Sequence, residues 1–538
     1  MGWLLLALVG LVYLAVGPWT LVLVAVLLAV PRVRERVPRP EVTRRGVAVG
    51  AAVVVGLGLV VWAVPDGRLP IPHTGGLLVT PGYDGRQVSA RAIEAEQPPQ
   101  HPWLAPTGAD AVGNDAWSSG AYPGGGPLGD RPEVETGWYG LEKCGRLAFD
   151  SRGRVVALCH DREGALLRVL DPESLDPLST KRLPGRLEGD VSPWQDVCNG
   201  SQFYLDNGDR AVVTTTERQI QAVGTADAEG KPDLTVAESW DLADRVAEDD
   251  CLVAVKPDWT GRIWWASREG RVGLVDPVTG TVHATDLTGE RITNTFAVDE
   301  TGGVFLVSDA ALYRFAVDAE GAPVVSWRTP YDRGVEQKAG QFAQGSGTSP
   351  TLVDDNLVAI ADNAEPRLHV VFVDRSSGAE VCRSALFDGG ESATETSLSS
   401  VGSGVIVENN HGYHSPRATL MGFATSPGLA RVDHAGGECR VAWTNEEVAP
   451  SALPVVSWQT GLLYTWTKRP TLWGVSAWYL TAVDASTGRT AFSVRAGTGT
   501  LFNAHYSAVT LGPNGGAYVG TMGGLVRVRD VERKKKDD

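Results

Sequence analysis

The chain has 538 residues and a formal net charge of −16, which excludes electrostatic capture of DNA or RNA as its main task. Charged residues make up 21% and hydrophobic ones 43%, so most of the chain is expected to fold into a soluble body rather than stay disordered. Gly (63) and Trp (17) are abundant and Met (3) is scarce, a mixture that suits short strands, tight turns and large aromatic plugs.

In chain order, residues 1–65 come first and stand apart. Gly2 to Val30 is almost wholly apolar, and Gly46 to Val64 carries no charge. Crossing a hydrocarbon core of ~30 Å takes ~20 helical residues, so each run predicts a membrane span and the pair a transmembrane hairpin. A cleaved signal peptide, the rival for the first run, needs a basic start and a shorter core. Arg32, Arg34, Arg36, Arg39, Arg44 and Arg45 lie between the runs. A short arginine-rich loop stays in the cytoplasm, which places everything after the hairpin on the extracytoplasmic side of a cell membrane. The six cysteines (Cys144, Cys159, Cys198, Cys251, Cys382, Cys439) all fall in that outer part. An even number in an oxidising compartment predicts disulfides, with six buried free thiols as the alternative.

Residues 66–140 are rich in Pro and Gly, as in "EQPPQHPWLAPTG", and read as a linker with a short strand at Gly76 to Thr80 and a further strand given to the domain that follows. From 141 to 530 a unit recurs. Its marker is a turn: "VDPVTGTV" at Asp276 to Gly280, "VDRSSGAEV" at Asp374 to Gly378 and "VDASTGRTA" at Asp484 to Gly488, with weaker copies at Asp171, Asp227, Asp318 and Asp433. Asp accepts backbone N–H groups in such a turn and Gly takes the positive φ. Asp171 to Asp484 spans six intervals of about 52 residues, the length of a four-stranded propeller blade. Blades are expected to begin near residues 144, 197, 251, 294, 345, 396, 452 and 505. The eighth shows only three strands, so the segment before Cys144 is expected to supply the fourth and close the ring. The fold class is therefore all-β, an eight-bladed propeller preceded by the helical hairpin. Residues 531–538 read as a charged tail, and Asn199-Gly200-Ser201 is a glycosylation sequon.

The repeated turns, with Trp240, Trp327 and Trp443 late in outer strands, resemble the quinoprotein alcohol dehydrogenase-like (PQQ-like) propeller family. The resemblance implies blades docked by those tryptophans and, for enzymes of the family, pyrroloquinoline quinone beneath a disulfide between adjacent cysteines. This chain has no Cys-Cys dipeptide and no Cys-x-x-Cys-His.

In a propeller the start of each first strand and the end of each second strand meet on one face. That places Asp362-Asn363 and Glu408-Asn409-Asn410-His411 side by side, opposite Ser346 and Thr348, with His160 and His505 on the same face. Asp362, Glu408 and Asn409 offer oxygen ligands for a hard cation such as Ca²⁺. The same groups would equally hydrogen-bond a small polar ligand, and Asn and Asp also follow strands merely to satisfy their own backbone. Cys144 and Cys159 lie on antiparallel neighbours, Cys198 and Cys251 open adjacent blades near the axis, and Cys382 with Cys439 follow by elimination. The expected function is binding of a small ligand or of a membrane or envelope protein on this polar face, without chemistry. The alternative is a quinone-type or Ca²⁺-dependent enzyme using the same face.

Overall fold

The computed structural model describes residues 2–37, 43–95, 97–105, 114–186, 196–198, 200, 202–354, 356–471 and 473–531. Arg39 of the arginine loop, Asn199 and Ser201 of the sequon, and residues 532–538 of the tail lie outside the described residues.

Apolar β-branched runs bounded by turn residues build eight blade sheets whose blade strands run antiparallel, beside a two-stranded hairpin at Asp227–Ala228 and Lys231–Pro232. Blade 1 holds Lys143–Phe149, Val155–His160, Gly164–Leu170 and Pro177–Gly185. The first strands of blades 2 to 8 are Phe203–Leu205, Leu252–Pro257, Ala297–Val298, Thr351–Val353, Ser399–Val401, Val455–Ser457 and Ser507–Leu511. The second strands are buried throughout, as in Leu357–Ala361 and Gly404–Glu408, because both faces pack on neighbouring blades. The fourth strands alternate towards solvent, as in Pro177–Gly185 and Pro323–Pro330. Blade 8 consists of Ser507–Leu511, Ala517–Thr521 and Gly524–Asp530, with Pro132–Trp138 as its outer strand. Val134 faces Val528 in that seam. The chain is thus an eight-bladed β-propeller.

The Asp-x-x-Ser/Thr-Gly turns have a packing purpose as well as a conformational one. Asp374 Oδ1 accepts from the N–H groups of Ser376 (3.1 Å) and Ser377 (2.8 Å), and Asp484 Oδ1 from Ser486 (3.0 Å) and Thr487 (2.9 Å). The Ser376 hydroxyl (2.6 Å) first, then the Ser377 hydroxyl (2.8 Å) and these N–H groups, hold the Asp374 carboxyl down at about 2. Gly378 and Gly488 have φ of 74° and 71°. A Cβ on Gly378 would meet Trp327 of the preceding blade at 2.7 Å, and one on Gly488 would meet Trp443 at 2.5 Å. Each indole also donates across the joint, Trp327 Nε1 to Arg375 O (2.9 Å) and Trp443 Nε1 to Ala485 O (3.0 Å). Trp240 is half-buried against the core but has no such glycine beneath it, since a Cβ on Gly280 would meet nothing within 4 Å.

The predicted transmembrane hairpin is overturned: among the described residues no helix is long and apolar enough to cross a membrane. The first apolar run is interrupted at Gly17 (φ 101°) and Pro18, leaving helices of 15 and 11 residues, Gly2–Val16 and Trp19–Ala29. At 1.5 Å per residue these reach about 22 and about 16 Å, short of ~30 Å. Arg44–Ala63 has 20 residues and opens on two arginines. At the break, Gly17 packs against Val475 of blade 7, and Leu14 O accepts from Gly76 N (2.9 Å). Gly76 to Thr80, expected as a strand, is accordingly a turn.

Three disulfides are present: Cys144–Cys159 within blade 1, Cys198–Cys251 at the entries of blades 2 and 3, and Cys382–Cys439 between the outer strands of blades 5 and 6.

Candidate functional site

The polar residues of the loop face are real neighbours in the ring, and most of them are already engaged. Asp362 closes the second strand of blade 5, and its Oδ1 accepts from the N–H groups of His369 (2.6 Å) and Ala364 (3.2 Å) while Oδ2 meets His369 Nδ1 at 2.9 Å. Burial outweighs these bonds and raises the carboxyl above its usual range. Asn363 donates to the carbonyls of Arg333 (2.9 Å) and Glu336 (3.0 Å) and accepts from Gln341 Nε2 (3.0 Å), which pins the loop between blades 4 and 5. Asn409 donates to Glu391 O (2.8 Å) and Pro427 O (3.0 Å), and Asn410 to Ala449 O (3.1 Å) while accepting from Glu395 N (2.9 Å). His411 Nδ1 lies 3.2 Å from Ser426 Oγ, and its backbone N–H donates to Asn409 Oδ1 (3.1 Å). Ser346 and Thr348 bond each other at 3.0 Å, and Thr348 Oγ1 accepts from Ala361 N.

Glu408 accepts from Thr465 of blade 7, and its second oxygen is buried without a hydrogen-bond partner. Burial drives its carboxyl well above the usual range. Asp362 is engaged by His369 in its own blade, Glu408 by Thr465 and Asn409 by the carbonyls of Glu391 and Pro427. Among the described residues, the three-ligand cluster within metal-binding distance is Glu142 with Cys144 and Cys159, whose sulfurs are joined to each other while Glu142 serves Arg168.

His505 lies elsewhere on the face, in a cluster at the mouth of the axial bore. Tyr413 Oη donates to Asn503 Oδ1 (2.9 Å) and lies 3.0 Å from His505 Nδ1. Tyr506 Oη donates to Gly340 O (2.9 Å), Phe342 packs on the Tyr506 ring at 5.3 Å, and Tyr413 meets it edge-on at 5.4 Å. His505 and Tyr506 both hold left-handed backbone, φ 43° and 65°, which side chains with a Cβ adopt at a cost of about 1–3 kcal/mol each. Strain of this size persists only where surrounding contacts fix it. Gly340 lets two loops close on each other, since a Cβ there would sit 2.2 Å from Tyr413 O. Glu395 also borders this mouth, buried and with Oε2 unpartnered.

The other end of the bore is filled by the chain itself. Residues 114–122 follow an arc beneath the first strands of six blades. Asn114 bonds Leu205 of blade 2 in both directions (2.9 Å each), and Lys256 Nζ of blade 3 reaches Asp115 O at 2.6 Å. Ala116 O accepts from Val298 N (2.7 Å), Trp117 O from Leu352 N (3.0 Å), Ser119 O from Ser400 N (2.6 Å) and Gly120 O from Val456 N (2.8 Å). Beside Tyr122 and Thr295 lies a cavity of about 10 Å³, room for roughly one water.

Sequence reasoning missed the cations of the bore. Arg146 and Lys143 lie on the first strand of blade 1 and Lys256 on that of blade 3. Lys143 donates to His505 O at the mouth. Burial, with Arg146 close by, pushes the Lys143 ammonium down to about 7 and that of Lys256 to about 8. A lysine inside the otherwise apolar "CLVAVKP" was the visible signal. On the opposite, turn face a groove of about 820 Å³ runs between Ser89–Glu94 and blades 5 to 7. Its Arg431 is bound to Asp433 and its Asp484 to its own turn.

The eight blades define the class: a β-propeller. No family model matches the chain. It is similar to an uncharacterized protein of Archaeoglobus fulgidus, 28% identical over 327 residues, which is 53% of this chain and 62% of that one. The chain thus spans less than two thirds of that relative. Among solved structures it is similar to BamB from Moraxella catarrhalis (TM-score 0.37, 14% identity, 59% of this chain and 93% of that one). It is also similar to a europium-containing methanol dehydrogenase (TM-score 0.44, 12% identity, 70% and 90%). Likenesses this low carry no argument beyond architecture, and the propeller rests on the chain's own ladders.

Proposed function

We propose that the protein is an extracytoplasmic binding protein that takes a small polar ligand at the bore mouth on the loop face, without turning it over. The observation that supports this most is the strained pair His505 and Tyr506, held in place by three loops from different blades. Three disulfides favour an oxidising compartment. Asp362, Asn363 and Asn409 of blades 5 and 6 are spent on loop anchoring, which favours a rigid recognition surface.

The test is a thermal-shift screen of the full chain against quinones, sugars, organic acids and divalent ions, repeated with Tyr506→Ala. A ligand that raises Tm of the wild type and loses its effect in Tyr506→Ala fits this reading. A ligand equally effective on both binds elsewhere and overturns it. A bound chromophore in the absorption spectrum, or stoichiometric Ca²⁺ in the purified protein, would replace binding with the quinoprotein alternative.

A further inference from the structure

We infer that the loop face of blades 6 and 7 seats on a lipid surface with anionic headgroups, holding the propeller against one leaflet without crossing it. The carrying observation is an apolar rim assembled from separate parts of the chain. The blade 6 loop brings Leu420, Met421 and Phe423, the blade 7 loop Trp473, and the elbow between the first two helices Trp19. Phe423 is 70% exposed, and Met421, Trp473 and Trp19 are each about half exposed. The parts meet: a Cβ built on Gly474 would lie 3.3 Å from the Trp19 ring and 3.6 Å from Met421 Cε. Leu78, 82% exposed, stands two residues beyond Gly76. Gly76 and the Trp473 carbonyl both lie 3.7 Å from a Cβ built on Gly17. The rim is held out, not left loose. Thr419 O accepts from Ser476 Oγ, Thr419 Oγ1 accepts from Asn503 Nδ2 (3.1 Å), and Gly422 packs on Thr471 and Gly474. Met421 has a φ of 51°, a backbone that a residue with a Cβ adopts only at a cost.

Charge points to the occupant. The chain has 64 acidic residues, yet 1–34, 67–83, 409–432 and 448–483 hold none, and these are the stretches that meet at the rim. Arg417 beside it is exposed, as are Arg32, Arg34 and Arg36 just past the second helix. With a net charge of −16 the rest of the molecule is repelled by an anionic bilayer, so a window without acids sets which face approaches. Indole rings such as Trp19 and Trp473 suit the headgroup level, where one edge is apolar and the other wet. The helices select lipid over a protein groove. Leu4, Leu5 and Leu6 are all exposed, and so are Leu21, Val22 and Leu23. Consecutive helical residues point ~100° apart, so each helix is apolar around most of its girth and not along one stripe. Lengths of about 22 and about 16 Å let them enter a leaflet but not cross a core of ~30 Å.

All six cysteines are in disulfides, so one added thiol can be labelled in the full chain. Phe423→Cys carries an environment-sensitive fluorophore, with Val278→Cys, in an exposed turn on the opposite face, as the control. Both are mixed with phosphatidylcholine vesicles made with and without phosphatidylglycerol, and with the same vesicles bearing a spin-labelled lipid. On the anionic vesicles the label at position 423 is expected to shift to the blue and be quenched by the spin label, while that at 278 stays as in water. Flotation should show binding several-fold tighter to anionic than to neutral vesicles. Should the added thiol disturb the disulfides, Phe423→Asp carries the comparison, with vesicle binding expected to fall about tenfold or more. A chain that floats while the label at 423 is silent is held by its helices alone, which overturns the seating. An equal response at 278, equal binding to both vesicle types, or unchanged binding of Phe423→Asp overturns it too. A response at 423 that grows with protein concentration before vesicles are added marks a second copy of this chain on the rim and sinks the lipid assignment.

Discussion

Glu408 and Lys143 titrate in opposite senses for one cause, burial. Folding favours the protonated acid of Glu408, so its contribution is whole below about 4.5, the ordinary glutamate value, and is lost as pH rises through the higher folded value. Glu408→Gln keeps the shape and a hydrogen bond to Thr465 but does not titrate. Scanning calorimetry above pH ~5 should therefore show a shallower loss of stability for the variant than for wild type; parallel curves reject the assignment. Lys143 favours the neutral amine, so its contribution grows as pH rises from about 7 towards 10.5 and is absent below. At this scale the sequence located the polar rim but not its use. Asn363, Glu408 and Asn410 find partners in Arg333, Thr465 and Ala449, residues 30 to 57 positions away, and one oxygen of Glu408 stays unpartnered. Arg146 was hidden by a register shift between Cys144 and Arg146, which decides where the side chain points and leaves no trace in residue order.

Turns and tryptophans set the stability of the blade joints. Gly488→Ala meets both a positive φ and the Trp443 ring, and should cost well over 1 kcal/mol in urea unfolding. Trp443→Ala, at 9% exposure, should cost about 3–5 kcal/mol. The double variant should cost less than the sum, because the ring the new methyl would strike is gone; strict additivity would show that the two do not touch. The repeat was legible because its physics is local, with Asp, hydroxyl and Gly inside five residues. The helical hairpin was misread because hydropathy adds up composition, whereas the break at Gly17-Pro18 is a backbone event supported by Val475 and Gly76, far along the chain.

For the whole molecule, the disulfides should matter in order of the chain they enclose. Cys382–Cys439 closes 57 residues and joins two blades, while Cys144–Cys159 closes 15 within one. Replacing the first pair by serine should cost about 1 kcal/mol more than replacing the second, read as the difference in denaturant midpoint. An equal cost would mean that the enclosed length has no influence here.

The arc at 114–122 and the seam at 132–138 also have a history in synthesis. Both are made early, yet their partners include the last strands of the chain, roughly 390 residues later for the seam. No half-made wheel can rest stably, because its hub lacks spokes and its rim lacks an end to fasten. A nascent chain must be kept unstuck until its final strand emerges, and a product cut short by a single blade loses the clasp of the whole ring.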